Sequence, residues 1–174
     1  MAPVATLVVV MGPTAAGKTT VGRALAARLG VPFHDADDHH SEAAVARMRA
    51  GHPLTDADRW PWLDRLRALL ARELAAGPGA VLACSALRRA YRERLVPDGA
   101  PPDTPRFVHL DVPREVLAER LGRRTAHYMP ASLLDSQLAT LEEPEPGEAA
   151  MTVHADRSIA DVVNEIIERL TSDA

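Results

Sequence analysis

The sequence contains very little lysine and cysteine. Of its 20 lysine and arginine residues, 19 are arginine, so Lys18 is the only lysine. Lysine carries a compact charge on a flexible chain, whereas arginine presents a rigid planar fork. Lys18 therefore indicates a position where arginine does not serve, provided that it lies in a functional motif. Cys84 is the only cysteine, so no internal disulfide forms, and we expect a reducing cytoplasm as the location.

Long apolar runs and a surplus of positive charge are also absent. No stretch approaches the ~18 apolar residues that a membrane-spanning helix needs. Residues 1–11 lack the basic start and the cleavage site of a secretion signal. The net charge of −4 and the isoelectric point near 6.0 argue against a nucleic-acid-binding protein. We therefore expect neither membranes nor nucleic acids as partners, and 174 residues with 47% hydrophobic content predict one domain.

Short apolar runs alternate with amphipathic stretches along the chain. The predicted strands cover residues 6–11, 31–35, 80–85, 106–112 and 151–156. The predicted helices cover residues 20–29, 41–50, 60–74, 87–96, 113–124, 131–141 and 159–170. This alternation predicts an α/β fold, in which helices cover both faces of a parallel sheet. Ligands of such folds bind beyond the carboxyl ends of the strands. The residues predicted near that rim are Gly12, Asp35, Ser85 and Asp111.

A phosphate-binding pattern lies between the first predicted strand and helix. Residues 12–19, GPTAAGKT, match G-x4-G-K-[ST]. Such a loop aims backbone N–H groups at phosphate oxygens, and the following helix presents its positive end to the same anion. Lys18 is expected to reach the β- and γ-phosphates of ATP, and the Thr19 hydroxyl to hold Mg²⁺. A plain strand-to-helix turn is the alternative. The predicted ATP-binding residues of this segment are Gly12, Pro13, Thr14, Ala15, Ala16, Gly17, Lys18, Thr19 and Thr20.

An acidic, histidine-rich stretch, HDADDHH (34–40), follows the second predicted strand. Asp35 and Asp37 are two residues apart, and alternate side chains of an extended backbone share a face. Both are therefore expected to point into the cleft above the phosphate loop, where a carboxylate accepts a proton or orients Mg²⁺. A zinc site needs three or four converging ligands, and the adjacent His39 and His40 point in different directions. A solvated acidic loop is the remaining alternative.

Pairs of arginines four residues apart mark two predicted helices. Arg120 and Arg124 share a helical face and lead into RTAHYMP, which reads as a flexible segment. Arginines on such a flap neutralise charge on a transferring phosphoryl group; the alternative is a solvated helix end. Arg88 and Arg92 follow the third strand on the ligand rim, and Arg59 lies in PLTDADRWPWL. Arginines at such positions suit a carboxylate by bidentate pairing, although each taken alone also fits an ordinary surface residue.

These motifs together resemble the gluconate kinase family of small P-loop kinases over almost the whole chain. After the phosphate loop, FHDAD corresponds to the family's F-x-D-G-D, and GHPLTDADRWPWL to G-x-P-L-x-D-x-D-R-x-P-W-L. ACSALRRAYRERL, RLGRRTAHYM and LLDSQLATLEEP follow in family order. The phosphate loop is shared by many enzymes, whereas the P-L-x-D-x-D-R-x-P-W-L and S-Q-x-x-x-L-E stretches are far more specific to this family.

The resemblance implies a three-layer P-loop kinase fold, with a five-stranded parallel sheet, an acceptor-binding insert around 38–62 and a mobile lid around 123–132. It implies ATP- and Mg²⁺-dependent phosphorylation of D-gluconate to 6-phosphogluconate, in a family that is often dimeric; no dimer interface is legible in this sequence. Asp37 matches the general base and Asp35 the residue that supports Mg²⁺. Lys18, Arg120 and Arg124 complete the implied catalytic set, and the two arginines also bind ATP. The residues implied to contact gluconate are Asp37, His40, Arg59, Ser85, Arg88, Arg92 and His127.

The sequence departs from the family pattern at four alanines. Ala15 and Ala16 replace the usual Gly and Ser of the phosphate loop, so phosphate binding depends on whether Ala15 and Ala16 adopt the required dihedral angles. Ala36 replaces the Gly between the two aspartates, and Ala126 replaces the Gly before His127, which affects lid closure rather than the reaction.

Two other functions fit parts of the sequence. A related small-molecule kinase, acting on shikimate or another sugar acid, uses the same phosphate loop. An ATP-binding regulatory module needs no acceptor at all. A GTPase switch is disfavoured, because its Asn-Lys-x-Asp stretch requires a lysine and the only lysine already lies in the phosphate loop.

Overall fold

The computed structural model describes residues 6–124 and 131–173. Five strands form one sheet: β1 (Thr6–Met11), β2 (Phe33–Asp35), β3 (Gly79–Ala83), β4 (Arg106–Asp111) and β5 (Ala150–His154). All neighbouring strands are parallel, and their order is β2-β3-β1-β4-β5. The predicted five-stranded parallel sheet is therefore confirmed.

Seven α-helices connect and cover the strands in the described part of the chain. They are α1 (Lys18–Leu29), α2 (Glu42–Arg49), α3 (Asp56–Ala76), α4 (Arg89–Leu95), α5 (Arg114–Gly122), α6 (Ala131–Thr140) and α7 (Ile159–Ser172). A 3-10 turn, Ala36–His39, follows β2 directly. None of these helices is long and apolar enough to cross a membrane.

The central strand β1 contributes to two apolar cores, one on each face of the sheet. Val8 and Val10 pack in a core with buried residues of α1, α5, α6 and α7. Leu7, Val9 and Met11 pack in a second core with residues of α3 and α4. The alternation of side chains along a strand thus divides the helices into two layers, and the predicted three-layer α/β architecture is confirmed.

The start of α3 differs from the prediction of a helix over 60–74. The helix begins at Asp56, where the Thr55 side chain accepts a hydrogen bond from the Asp58 N–H and the Asp58 side chain accepts one from the Thr55 N–H. This capping box was the local signal for the earlier start. The predicted start at residue 60 is therefore four residues late, and Pro61 lies inside the helix.

The carboxyl ends of β1, β2 and β3 lie next to one another because these strands are sheet neighbours. The phosphate loop (residues 12–17) follows β1, and the acidic turn (residues 35–40) starts at the end of β2. Ser85 follows β3, and its carbonyl oxygen accepts a 3.2 Å hydrogen bond from the Gly12 N–H. The predicted ligand rim thus lies at the carboxyl ends of these three strands.

Candidate active site

The phosphate loop is held in a tight curl beside the sheet. Gly12 has a φ of 146°, and a Cβ at this position would lie 3.2 Å from the Ala16 Cβ and 3.3 Å from the Leu110 carbonyl oxygen. Gly17 precedes α1 with a φ of 97°. Ala15 adopts a φ of 67°, so alanine takes the left-handed conformation at this position, at a cost of about 1 kcal/mol. The curl therefore persists without the glycine that the family pattern has here.

Lys18 begins α1 and turns back over the loop. Its Nζ donates a 2.8 Å hydrogen bond to the Pro13 carbonyl oxygen. Burial lowers the pKa of Lys18, while the negative charges of Asp37 and Asp35 oppose that shift. The ammonium group is thus fixed inside the curl, with two carboxylates within electrostatic range. Nearby Cys84 is buried, and burial raises the pKa of its thiol to about 12, so the thiol stays neutral.

The acidic turn is joined to the phosphate loop by Asp35. The Thr19 hydroxyl donates a 2.8 Å hydrogen bond to Asp35 Oδ2. The other carboxylate oxygen, Oδ1, accepts a 3.0 Å hydrogen bond from the Asp37 N–H. One carboxylate therefore fixes both the residue predicted to hold Mg²⁺ and the backbone of the predicted general base.

The side chain of Asp37 projects from this turn to the protein surface. It is 88% exposed, and its Oδ1 lies 4.0 Å from His40 Nε2. Neighbouring protein desolvates part of the carboxylate and raises its pKa, an effect that the high exposure of the side chain limits, and the negative charge of Asp35 raises the pKa further. Lys18 and His40 act in the opposite direction. Asp37 is therefore a carboxylate that solvent or a ligand can reach and that binds a proton more readily than an ordinary aspartate.

Helix α3 holds the acidic turn at three points. The Trp62 Nε1–H donates a 2.8 Å hydrogen bond to the Ala36 carbonyl oxygen, and the Arg65 Nε–H donates one of 3.1 Å to the His39 carbonyl oxygen. The His40 ring stacks on Trp62, with ring centroids 4.3 Å apart. The His40 side chain is 7% exposed, its Nδ1 has no hydrogen-bond partner among the described residues, and burial lowers the pKa of the ring. The turn is thus anchored from a second element, while the Asp37 carboxylate stays exposed.

Arg120 of α5 contacts the phosphate loop, and Arg124 follows just after the helix. Arg120 Nη1 donates hydrogen bonds to the Ala15 and Ala16 carbonyl oxygens, at 3.1 Å and 3.3 Å. Its Nη2 donates one of 2.9 Å to the Ala155 carbonyl oxygen. Arg124 is exposed just beyond α5, and its charge contributes to the lowered pKa of Lys18. Both side chains are therefore near the loop. The expected lid residue His127 lies outside the described residues.

Four side chains form a cluster at the start of α3 and of α4, which we name the acceptor cluster: Asp56, Arg59, Arg88 and Tyr91. Asp56 Oδ1 accepts a hydrogen bond of 3.3 Å from Arg59 Nη1 and a further hydrogen bond from the Tyr91 hydroxyl. Asp56 Oδ2 lies 3.8 Å from Arg88 Nη1. One carboxylate thus brings together two arginines that are 29 positions apart in the sequence.

Arg92 lies away from this cluster and from the cleft surface. Its side chain is 2% exposed, and its guanidinium pairs with Glu148 at 2.9 Å and donates to the Ala86 and Leu87 carbonyl oxygens. The prediction that Arg92 contacts the acceptor does not fit this placement, because its N–H groups already have buried partners. Helical spacing placed Arg92 one turn from Arg88, but that spacing did not show that the side chain turns inward.

Several residues that shape this region were not among the predicted site residues. Gln137 of α6 accepts a 2.6 Å hydrogen bond from the Thr14 N–H of the phosphate loop. Asp56 and Tyr91 complete the acceptor cluster, and Trp62 anchors the acidic turn. Each of them belongs to a stretch that carried the family resemblance, and that membership was the signal available in the sequence. Among the residues that the structure describes, no three His, Cys, Asp or Glu side chains converge as a metal-binding group.

Comparison with known proteins identifies the family. The family model described as shikimate kinase matches residues 14–171. A gluconokinase of Gluconobacter oxydans (strain 621H) is 48% identical over 165 residues, which cover 95% of this chain and 91% of that protein. The chain belongs to the gluconokinase family. The resemblance read from the motifs is therefore confirmed.

Two crystal structures extend this relationship to three dimensions. A gluconokinase from Sinorhizobium meliloti 1021 is 40% identical with a TM-score of 0.84, and covers 99% of this chain and 95% of its own. A sugar kinase from Janibacter sp. HTCC2649 is 41% identical with a TM-score of 0.87, and covers 96% of this chain and 95% of its own. The gluconokinase-family fold therefore extends over nearly the whole chain.

Proposed function

We propose that this protein is a gluconokinase that transfers the γ-phosphoryl group of ATP to the terminal hydroxyl of D-gluconate, giving 6-phosphogluconate and ADP. The observation that carries the proposal is the hydrogen bond between Thr19 and Asp35. It couples the phosphate loop to the acidic turn, so the anchor for the donor and the acceptor-facing Asp37 belong to one rigid unit. Phosphoryl transfer relies mostly on such positioning and on charge neutralisation.

The donor side of the site uses the phosphate loop and the arginines of α5. Backbone N–H groups of the phosphate loop and of the start of α1 receive the phosphates, apart from that of Thr14, which donates to Gln137. Lys18 exchanges its bond to the Pro13 carbonyl oxygen for the β- and γ-phosphate oxygens. Arg120 and Arg124 neutralise charge that develops on the transferring group. The lid around 123–132 stays a prediction, because residues 125–130 lie outside the described part of the chain.

Thr19 and Asp35 fit a magnesium site. Both present oxygen atoms, the donors that Mg²⁺ prefers, and these oxygens are 2.8 Å apart. Thr19 would bind the ion through its hydroxyl, and Asp35 would bind it directly or through water. When bound, Mg²⁺ supplies charge neutralisation at the β- and γ-phosphates.

The acceptor side of the site uses Asp37 and the acceptor cluster. Asp37 accepts the proton of the attacking hydroxyl, and its raised pKa suits that role. Arg59 and Arg88 bind the carboxylate at the far end of the sugar acid. His40, in the insert of residues 38–62, and Ser85, after β3, are the other acceptor contacts that the resemblance implies; the His40 side chain is buried against Trp62, so it supports the acidic turn. Arg92 pairs with Glu148 in the interior and does not contact the acceptor.

A coupled assay for ADP release tests the function. The enzyme is incubated with Mg-ATP and, separately, D-gluconate, shikimate, D-sorbitol and D-glucono-lactone held at a pH where the lactone ring persists. We expect turnover with gluconate at least ~10²-fold above that with shikimate, because the polar groups of a site that fits gluconate are left unpaired by shikimate. ³¹P NMR of the product identifies the phosphorylated oxygen. Equal turnover on shikimate, or ADP release that is independent of any acceptor, would contradict the proposal.

A cytoplasmic location is part of the proposal. ATP and a neutral buried thiol in a chain with a single cysteine both fit a reducing compartment. The homodimer that the family resemblance implies stays a prediction, and sedimentation at micromolar concentration tests it.

A further inference from the structure

A site that binds an acidic substrate needs positively charged side chains. The acceptor cluster nevertheless also contains an acidic residue, Asp56. Arg59 and Arg88 carry two positive charges, and Asp56 pairs with both of them. The Tyr91 hydroxyl adds a hydrogen bond to Asp56, and Arg59 Nη1 also lies 3.3 Å from the Tyr91 oxygen. Both oxygens of the Asp56 carboxylate are thus engaged, and the three charged groups sum to +1.

The geometry keeps this charge partly open to solvent. The Arg59, Arg88 and Asp56 side chains are 32%, 46% and 44% exposed. Arg59 therefore has room to receive a ligand while it holds Asp56. Arg59 and Trp62 lie three positions apart near the start of α3, and Trp62 donates a hydrogen bond to the carbonyl oxygen of Ala36, the residue before Asp37. The cluster and the turn that carries the predicted base are thus attached to the same end of one helix.

We propose that Asp56 sets the charge preference of the acceptor site, by cancelling one of two arginine charges so that the site is matched to a sugar acid with a single carboxylate. This inference rests on the proposed function, because it takes Arg59 and Arg88 as the receptors of the acceptor carboxylate. A ligand with two negative charges at that end would leave an excess negative charge in the cluster. Asp56 acts through the arginines, so it is a specificity-determining positioning residue and not a catalytic one.

The variant Asp56→Asn separates charge from shape. Asparagine keeps an oxygen that accepts hydrogen bonds from Tyr91 and Arg59, and it removes only the negative charge. The net charge of the cluster rises from +1 to +2. The probes are two small acids that differ in charge at one end: D-glycerate, with one carboxylate, and tartronate, with two carboxylates on the same carbon. Each is measured as a competitive inhibitor against D-gluconate, at fixed free Mg²⁺.

We expect the ratio of the inhibition constants, glycerate over tartronate, to rise about tenfold in Asp56→Asn, because each ligand charge then faces one fewer negative charge at close range. The rise should shrink at high ionic strength, since the cluster is partly exposed. The KM for ATP should stay within twofold of the wild-type value. A ratio that changes less than twofold, or a parallel loss of affinity for both acids, would overturn the proposal.

Two further variants serve as controls. Asp64→Asn removes a similarly exposed charge from the same helix, where Asp64 pairs with Arg94 away from the cluster, and it should leave the ratio unchanged. Tyr91→Phe removes a hydrogen bond to Asp56 but leaves the negative charge of Asp56 in place. The ratio of the inhibition constants should therefore stay within twofold of the wild-type value. A tenfold rise in Tyr91→Phe would show that geometry rather than charge sets the preference. Failure of the proposed function is separate, because it appears as absent gluconate turnover in the wild-type enzyme.

Discussion

The Asp37 carboxylate and the His40 imidazole face each other across the acidic turn, with Oδ1 and Nε2 4.0 Å apart. His40 is buried against Trp62, whereas Asp37 is open to the cleft. Packing thus holds the histidine ring in place, and the carboxylate beside it stays accessible to solvent.

Replacement of Asp37 by asparagine tests its role as the base. We expect kcat to fall by ~10²-fold or more while the affinity for ATP is nearly unchanged, because Asp37 acts on the acceptor. Asp38→Asn is the matched control at the neighbouring position and should keep kcat within twofold. Loss of ATP binding with normal turnover at saturation would show that Asp37 is not the base.

The pH dependence of turnover gives a second test of Asp37. Its pKa is raised above the ordinary 3.8, so the base becomes protonated, and kcat falls, at a higher pH than for an unperturbed aspartate. The acidic limb of the pH–rate profile should therefore lie above pH 3.8 and disappear in Asp37→Asn. The measurement is kcat at saturating substrates across the range in which the protein stays folded. If Asp37→Asn shows the same acidic limb as the wild-type enzyme, the limb reports the titration of another group.

Lys18→Arg tests whether the single lysine is required for its geometry. The guanidinium fork is larger and planar, and it does not fit the curl in which Nζ lies 2.8 Å from the Pro13 carbonyl oxygen. We expect kcat to fall by at least ~10²-fold although the charge is kept. Arg23→Lys, an exchange at an exposed position of the same helix, is the control. Turnover like that of the wild-type enzyme in Lys18→Arg would refute this role.

Glu148→Gln tests the structural role of Arg92. The two side chains are 2% and 11% exposed, so the variant leaves a buried guanidinium without its counter-charge. We expect the free energy of unfolding to fall by about 3 kcal/mol, measured by urea denaturation. Glu145→Gln, at a side chain that is 69% exposed, should change it by less than about 0.5 kcal/mol. The KM for gluconate of folded Glu148→Gln should stay within threefold of the wild-type value. A large rise in this KM without a loss of stability would indicate that Arg92 contacts the acceptor.

The same pair predicts a dependence of stability on pH. Burial raises the pKa of Glu148, but hydrogen bonds from Arg92 and the Glu145 N–H outweigh burial, and the net pKa lies below the ordinary 4.5. A depressed carboxyl pKa stabilises the fold above the unfolded-state value and loses that contribution as the pH falls through the folded-state value. The stability gap between wild type and Glu148→Gln should therefore be constant above pH 6 and narrow on acidification below pH 4.5. A gap that widens on acidification would contradict this sign.

Gln137→Glu tests the contact between α6 and the phosphate loop. The substitution places a negative charge at the atom that accepts the 2.6 Å hydrogen bond from the Thr14 N–H. Because the triphosphate is also negative, we expect the KM for ATP to rise about tenfold while that for gluconate changes little. Ser136→Glu adds the same charge at an exposed neighbour and should change the KM for ATP less than threefold. Equal effects of both variants would assign the change to general charge.

The sequence by itself determined the features that are written in contiguous residues. The phosphate loop, the alternation of strands and helices, and the position of the single lysine follow from local pattern, because a strand, a helix and a tight loop each depend on residues close in the chain. The start of α3 is also encoded locally, in the Thr55–Asp58 capping box, which the prediction of a helix from residue 60 did not use.

Only the tertiary structure decided which side chains meet. Arg92 and Glu148 are 56 positions apart, and Thr14 and Gln137 are 123 positions apart. Local periodicity predicts the face of a helix on which an arginine lies. Whether the guanidinium lies at the surface or pairs with a buried carboxylate depends on the residues of other elements that pack against that face. Arg88 and Arg92 share a helix region and a residue type, and packing alone gave one a place in the acceptor cluster and the other a place in the interior.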